Sequence, residues 1–295
     1  MNTESLQTIN QAAESGDLQL LISLHNQGQQ LDEGTLEIAA ENGHLHILQY
    51  FRHSWNANVI RAAAQAGHLH IVKYLHENGC PWDHKVTAGA ANGGHLHCLK
   101  YLHENNCPWD EWATAWAARG DELECLKYLH QNGCPWDYEA IEVASRHGNL
   151  DCLQYLHQNG CVIEKGALQY AAENGHLDCV KYLCESLPQL EDDDTYWVAK
   201  SGHLDCLQRV IENGAEYYMK DILNCLNDLT LDFDQTPWLR NFLFPHIDSD
   251  IMPQGLNDIC KQKLAQINLV KQATQVQLSD TVSSDVVKHC LHSFI

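Results

Sequence analysis

Two side-chain types recur at spacings that could support metal or redox chemistry. Cysteines stand at 98, 125, 152, 179 and 206, each 27 residues after the last, and Cys80, Cys107, Cys134 and Cys161 keep the same interval. Histidines recur as well: His44, His68, His95, His176 and His203 each follow a glycine, and His76, His103, His130 and His157 form a second series. Thiolates and imidazoles are zinc's preferred ligands, and paired thiols can cycle through a disulfide. A ladder of equivalent positions serves neither purpose. Equivalent atoms in stacked helical units lie about 8–10 Å apart, whereas zinc holds sulfur at about 2.3 Å. A disulfide needs its Cα atoms within about 7 Å. The cysteines are therefore read as small buried apolar groups, and the histidines as packing and hydrogen-bonding groups. Those of the second series also suit the negative end of a helix dipole. No metal or other cofactor is expected.

Other chemistry lacks its motifs. The sequence has no Gly-x-Ser-x-Gly elbow, no phosphate-cradling loop ending in Lys-Ser/Thr, and no His-Glu-x-x-His. The acidic runs Asp192-Asp193-Asp194 and Asp232-Phe233-Asp234 lack the Gly and Glu of a calcium loop. A catalytic role is not expected; an enzyme using the Cys and His residues is the remote alternative. With 39 acidic against 18 basic side chains, the formal charge of −21 repels a phosphate backbone, and the Lys and Arg residues form no stripe. Nucleic acid is thus an unexpected partner. So is a membrane, because no stretch approaches the roughly 20 apolar residues of a span. Met1 to Ser5 lacks the blocks of a secretory signal, so the 13 cysteines fit a reducing compartment, the cytoplasm, with the nucleus as the alternative.

The elements that position these residues are written as a repeat. Leu18, Leu45, Leu69, Leu96, Leu123, Leu150, Leu177 and Leu204 open similar segments, six intervals being 27 residues and one 24. Each segment carries a helical apolar stripe, such as Leu96, Cys98, Leu99, Tyr101 and Leu102. It stops at Asn-Gly, where glycine accepts left-handed geometry. Cys-Pro-Trp-Asp follows in three units, starting at Cys80, Cys107 and Cys134. Its proline ends one helix and its aspartate caps the next. The connector tryptophans Trp82, Trp109 and Trp136 are expected to cover the edges of neighbouring units. A first helix then runs to paired small residues, including Ala39-Ala40, Ala90-Ala91 and Ala117-Ala118, which let helices approach closely.

Ala171 to Leu177, Ala39 to Leu45 and the Tyr-Leu-His-Glu-Asn-Gly run ending at Gly79 make this unit resemble the ankyrin repeat over about residues 1–214. The family's unit is ~33 residues, so the unit here looks like the short variety of giant viruses and amoebae. The missing residues fall where a β-hairpin finger would project. The resemblance implies an all-α, ankyrin-type solenoid of about eight helical pairs, with shortened or absent fingers and a helical C-terminal cap. It implies a monomeric, non-catalytic module that binds a protein on its concave helical face. First-helix residues line that face in the family, and two first-helix positions vary sharply between units. They and their neighbour Tyr138 supply the expected contacts: Lys85, Trp112, Tyr138, Glu139, Glu142, Gln169 and Tyr196. Trp112 stands out as a large aromatic where other units carry small or charged residues. Trp116 is expected in the core, with counterparts Ile38, Val143 and Tyr170, and with Gly89 making room for it.

Periodicity ends near Ala215. Residues 215–252 are expected to cap the repeats, and residues 253–295 to form a helical segment. Pro253 to Leu264 and Val286 to Leu291 resemble the two ends of a SOCS box. That resemblance implies contact of Leu256, Cys260 and Leu264 with elongin C of the elongin B/C pair, and a cullin scaffold beyond. The repeats would then present substrates to a ubiquitin ligase. Leu278 to Thr281 lacks the prolines of the family's cullin-contacting stretch. A free-standing scaffold or decoy is the alternative.

Overall fold

The structure, a computed structural model, describes residues 3–29, 31, 33–164, 166–187 and 192–215. Beyond Ala215, the expected cap and the SOCS-box-like segment with Leu256, Cys260 and Leu264 lie outside the described residues. The described residues form sixteen α-helices and one 3-10 turn, with no strand. By compactness the chain divides into two units, 1–164 and 165–295.

In the first unit six helical pairs follow one another. Their first helices are α1 (Thr3–Ser15), α3 (Glu33–Glu41), α5 (Ala57–Gln65), α7 (His84–Asn92), α9 (Glu111–Arg119) and α11 (Tyr138–His147). Their second helices are α2 (Leu18–Asn26), α4 (Leu45–Tyr50), α6 (Leu69–Glu77), α8 (Leu96–Glu104), α10 (Leu123–Gln131) and α12 (Leu150–Gln158). Capping sets each start. The carboxylates of Asp83, Asp110 and Asp137 accept from the amides of Lys85, Trp112 and Glu139 at 3.0, 3.2 and 3.0 Å. Five of the six second helices end at a left-handed residue, α4 being the exception; Asn106 takes that role at φ 62°, where the other four use glycine. The single 24-residue interval has its cause here. Helix α4 stops at Tyr50, and a 3-10 turn over Arg52–Ser54 replaces its last turn.

The small residues fix how the pairs stack. In α9 Ala113, Thr114, Ala115, Ala117 and Ala118 are all buried, so successive first helices pack closely. The second helices bury longer side chains (Cys98, Leu99 and Leu102 in α8) and approach one another less closely. Unequal spacing of two layers bends a stack toward its tighter layer, so the first helices line the inner face of this unit. Truncating Leu102 or Leu126, both fully buried, would cost about 2–5 kcal/mol.

The second unit repeats the plan with α13 (Gly166–Glu173), α14 (Leu177–Ser186), α15 (Asp192–Ser201) and α16 (Leu204–Glu212). Cys179, Val180 and Leu183 of α14 and Cys206, Leu207 and Val210 of α16 are its buried stripes.

Candidate functional site

The residues with the most chemical side chains turn out to join neighbouring pairs. The Cys80 thiol donates to the Asn56 carbonyl at 3.4 Å, and those of Cys107, Cys134 and Cys161 to the carbonyls of Asp83, Asp110 and Asp137 at 3.6, 3.3 and 3.0 Å. Every acceptor is the capping residue of the preceding first helix. Burial pushes the thiols of Cys80 and Cys134 up to about 12 and those of Cys107 and Cys161 to about 11. Helix cysteines Cys98, Cys125, Cys152 and Cys206 are also raised by burial to about 12. A thiol held there is neither a nucleophile nor a ready ligand at neutral pH. Among the described residues no group of three or more His, Cys, Asp and Glu side chains is placed to hold a metal ion.

Both histidine series cross from pair to pair. The Nε2–H groups of His44 and His68 donate to the carbonyls of Glu14 and Glu41 at 2.8 and 2.9 Å. These are C-terminal carbonyls that a helix cannot satisfy by itself, so each pair caps its predecessor. Asn149 does the same from the equivalent position, donating to the carbonyls of Ala118 and Arg119 at 2.7 and 2.9 Å. The imidazole lies against a left-handed glycine: a Cβ on Gly67 (φ 79°) would fall 2.5 Å from His95 Nδ1. Burial and the neighbouring His97 lower the His95 pKa.

The second series forms a ladder. His76, His103 and His130 share hydrogen bonds through Nδ1 with the hydroxyls of Tyr101, Tyr128 and Tyr155 in the next pair, at 2.8, 2.8 and 2.9 Å. The same rings pack on Trp82, Trp109 and Trp136 with centroids 3.9, 4.2 and 4.0 Å apart. Threonines add to it, Thr87 donating to the Pro108 carbonyl at 2.8 Å and Thr114 to that of Pro135 at 3.1 Å. Sequence reasoning missed the tyrosines, although Tyr101, Tyr128 and Tyr155 recur at the 27-residue period.

On the first helices two large aromatics remain exposed. Trp112 is 45% and Tyr138 46% exposed, at the starts of α9 and α11. Lys85 is exposed on α7, and Glu139 and Glu142 are half-buried on α11. Between them lies a floor of small residues, Ala88 and Ala115, which are only 5% and 2% exposed. Burial raises the Glu142 pKa; Glu139, Glu164 and Asp137 push it the same way, opposed by Arg146. Lys85, Trp112, Tyr138, Glu139 and Glu142 thus all stand on first helices of the first unit, none of them fully buried. Gln169 and Tyr196 belong to the second unit. Both are half-buried; Gln169 donates to Glu173 at 2.7 Å, and Lys200 lies 5.9 Å from the Tyr196 ring centroid.

Trp116 corrects the expectation of a core residue. It is half-buried, as are Ile38, Val143 and Tyr170, and the Arg119 guanidinium lies 5.3 Å from its ring centroid. Gly89 makes no room for it, because the space above Gly89 is taken by Arg61, whose Cγ would be 3.1 Å from an added Cβ. Trp116 follows Trp112 by one helical turn, so the two indoles share the inner face of α9.

A family model described as ankyrin repeats (3 copies) matches residues 59–140, 88–166 and 141–221. Among solved structures, the chain is similar to the crystal structure of the human ASB11 ankyrin repeat domain, with a TM-score of 0.51 and 20% sequence identity. That match covers 61% of this chain and 96% of the other, and it is a likeness of fold. No curated protein matches this sequence.

Proposed function

Because the chain belongs to the ankyrin-repeat family, whose repeats serve as protein–protein interaction modules, we propose that a partner protein docks on the inner-helix face without catalysis. One observation carries this reading: Trp112 and Tyr138 are exposed on helices whose other faces are sealed by a stack that occupies the cysteines, histidines and connector tryptophans. Large aromatics on an otherwise polar face anchor interfaces, because they bury much area for few frozen torsions. Gln169 and Tyr196 are proposed as contacts of the second unit. Replacing Trp112 with Ala is expected to weaken capture of the partner about tenfold or more while changing stability by under about 1 kcal/mol. A large stability loss with unchanged capture would assign Trp112 to the fold instead.

A finer reading makes the protein a cytoplasmic substrate receptor of an elongin/cullin ubiquitin ligase. Its support is the four-residue spacing of Leu256, Cys260 and Leu264, which in a helix would share one face, together with the closing run Val286 to Leu291. Purified chain is then expected to bind elongin B/C, and the double substitution Leu256→Ala and Cys260→Ala to abolish binding. Failure of the wild-type chain to bind leaves a free-standing scaffold or decoy. No described helix is long and apolar enough to cross a membrane.

A further inference from the structure

We propose that the partner segment seated on the first unit's inner face is basic, and that it lays an arginine or lysine side chain along the exposed rings of Trp112 and Tyr138. This inference rests on the docking role proposed above and adds the chemistry of the occupant. Charge complementarity singles it out. Glu111 neighbours Trp112 at the start of α9, Asp137 and Glu139 flank Tyr138 at the start of α11, and Glu142 stands one turn further along α11 with Glu164 acting on it. The cations nearby are fewer. Arg119 already lies over the Trp116 ring, Arg146 faces Glu142, and Lys85 stands one helix away on α7.

The exposed rings explain why a long, flexible cation fits. At one first-helix position the successive units carry Arg61, Ala88, Ala115 and Glu142, and equivalent positions on packed helices are about 8–10 Å apart. Ala115 is itself covered, at 2% exposure, so what a partner meets is Trp112 on this helix and Tyr138 and Glu139 on the next. An aliphatic stem can lie along these rings with its charged head at the carboxylates, combining cation–π attraction with an ion pair. An acidic or purely apolar segment would instead desolvate these carboxylates without a counter-charge. Burial first, and Glu139, Glu164 and Asp137 after it, make Glu142 harder to ionise than an ordinary glutamate, with Arg146 opposing them.

The test uses the full chain as bait for a phage library of random dodecapeptides, followed by titration of the enriched peptides in synthetic form. Enriched sequences are expected to carry net positive charge. Their affinity should fall about tenfold or more with Trp112→Ala and severalfold with Glu139→Gln plus Glu142→Gln. Circular dichroism of each variant, matching the wild type, separates loss of binding from loss of fold. Neutral or acidic peptides that still depend on Trp112 would overturn the basic occupant and leave the docking face standing. Basic peptides indifferent to all three residues would reveal only general attraction to a chain of charge −21, and would overturn it too. A library that enriches nothing rules out a linear basic segment.

Discussion

Ser145 breaks a rule that the other pairs keep. It occupies the place held by Ala40, Ala64, Ala91, Ala118 and Ala172, and its buried hydroxyl has no hydrogen-bond partner among the described groups. A buried, unsatisfied hydroxyl costs about 1–3 kcal/mol, so Ser145→Ala is expected to raise stability by about 1 kcal/mol in urea unfolding; a loss would show that the hydroxyl is bonded in solution. His95 carries a pH dependence whose sign follows from its lowered pKa. The unfolded chain takes up that proton near the ordinary histidine value of about 6.5, whereas the folded chain resists it. The His95 contribution is therefore complete above that value and is lost as pH falls below it. Asn149 shows that an amide can make the same cross-pair bond. His95→Asn is accordingly expected to fold and to flatten the fall in unfolding midpoint between about pH 7 and about pH 5.5. An unchanged slope would assign that fall to other histidines.

At the scale of elements, the His–Tyr–Trp ladder is the part of the fold with the most specific geometry. His103 and Tyr128 tie α8 to α10 at 2.8 Å, and His103 also packs on Trp109. Tyr128→Phe should cost about 1 kcal/mol, and a double-mutant cycle with His103→Ala should show a coupling of about 0.5–1.5 kcal/mol; additivity would mean the hydrogen bond contributes nothing. Much of this level is legible in residues. The 27-residue spacing of Leu96, Leu123 and Leu150 marks the second helices, and Asp83, Asp110 and Asp137 mark the starts of first helices. The ladder was half legible: Trp82, Trp109 and Trp136 point to unit edges, but a hydrogen bond between residues 25 apart depends on how two helices stack, which periodicity within one helix cannot show. Trp116 misleads for a related reason. Its turn-mates Ala113 and Ala117 are buried, and residue type alone does not tell which side of a narrow helix remains open once its neighbours are in place.

Over the whole molecule, one physical division organises the account. Thiols, imidazoles and connector indoles hold pair to pair, and the surface proposed for a partner is the first-helix face with exposed Trp112 and Tyr138. The exposure of its residues was legible because repeats can be compared with one another: positions fixed by stacking stay constant while Lys85, Trp112 and Glu139 differ, and none of the three is buried. Its acidity and its floor were not, since both depend on which side chains of adjacent helices come side by side. Site-specific photo-crosslinking tests the division most directly. A benzophenone side chain is placed at position 112 on α9 or at exposed Glu124 on α10, and each full-length variant is irradiated with its captured partner. The account predicts a covalent adduct from position 112 and little or none from position 124. An adduct from position 124 alone would put the partner on the second-helix face and contradict it.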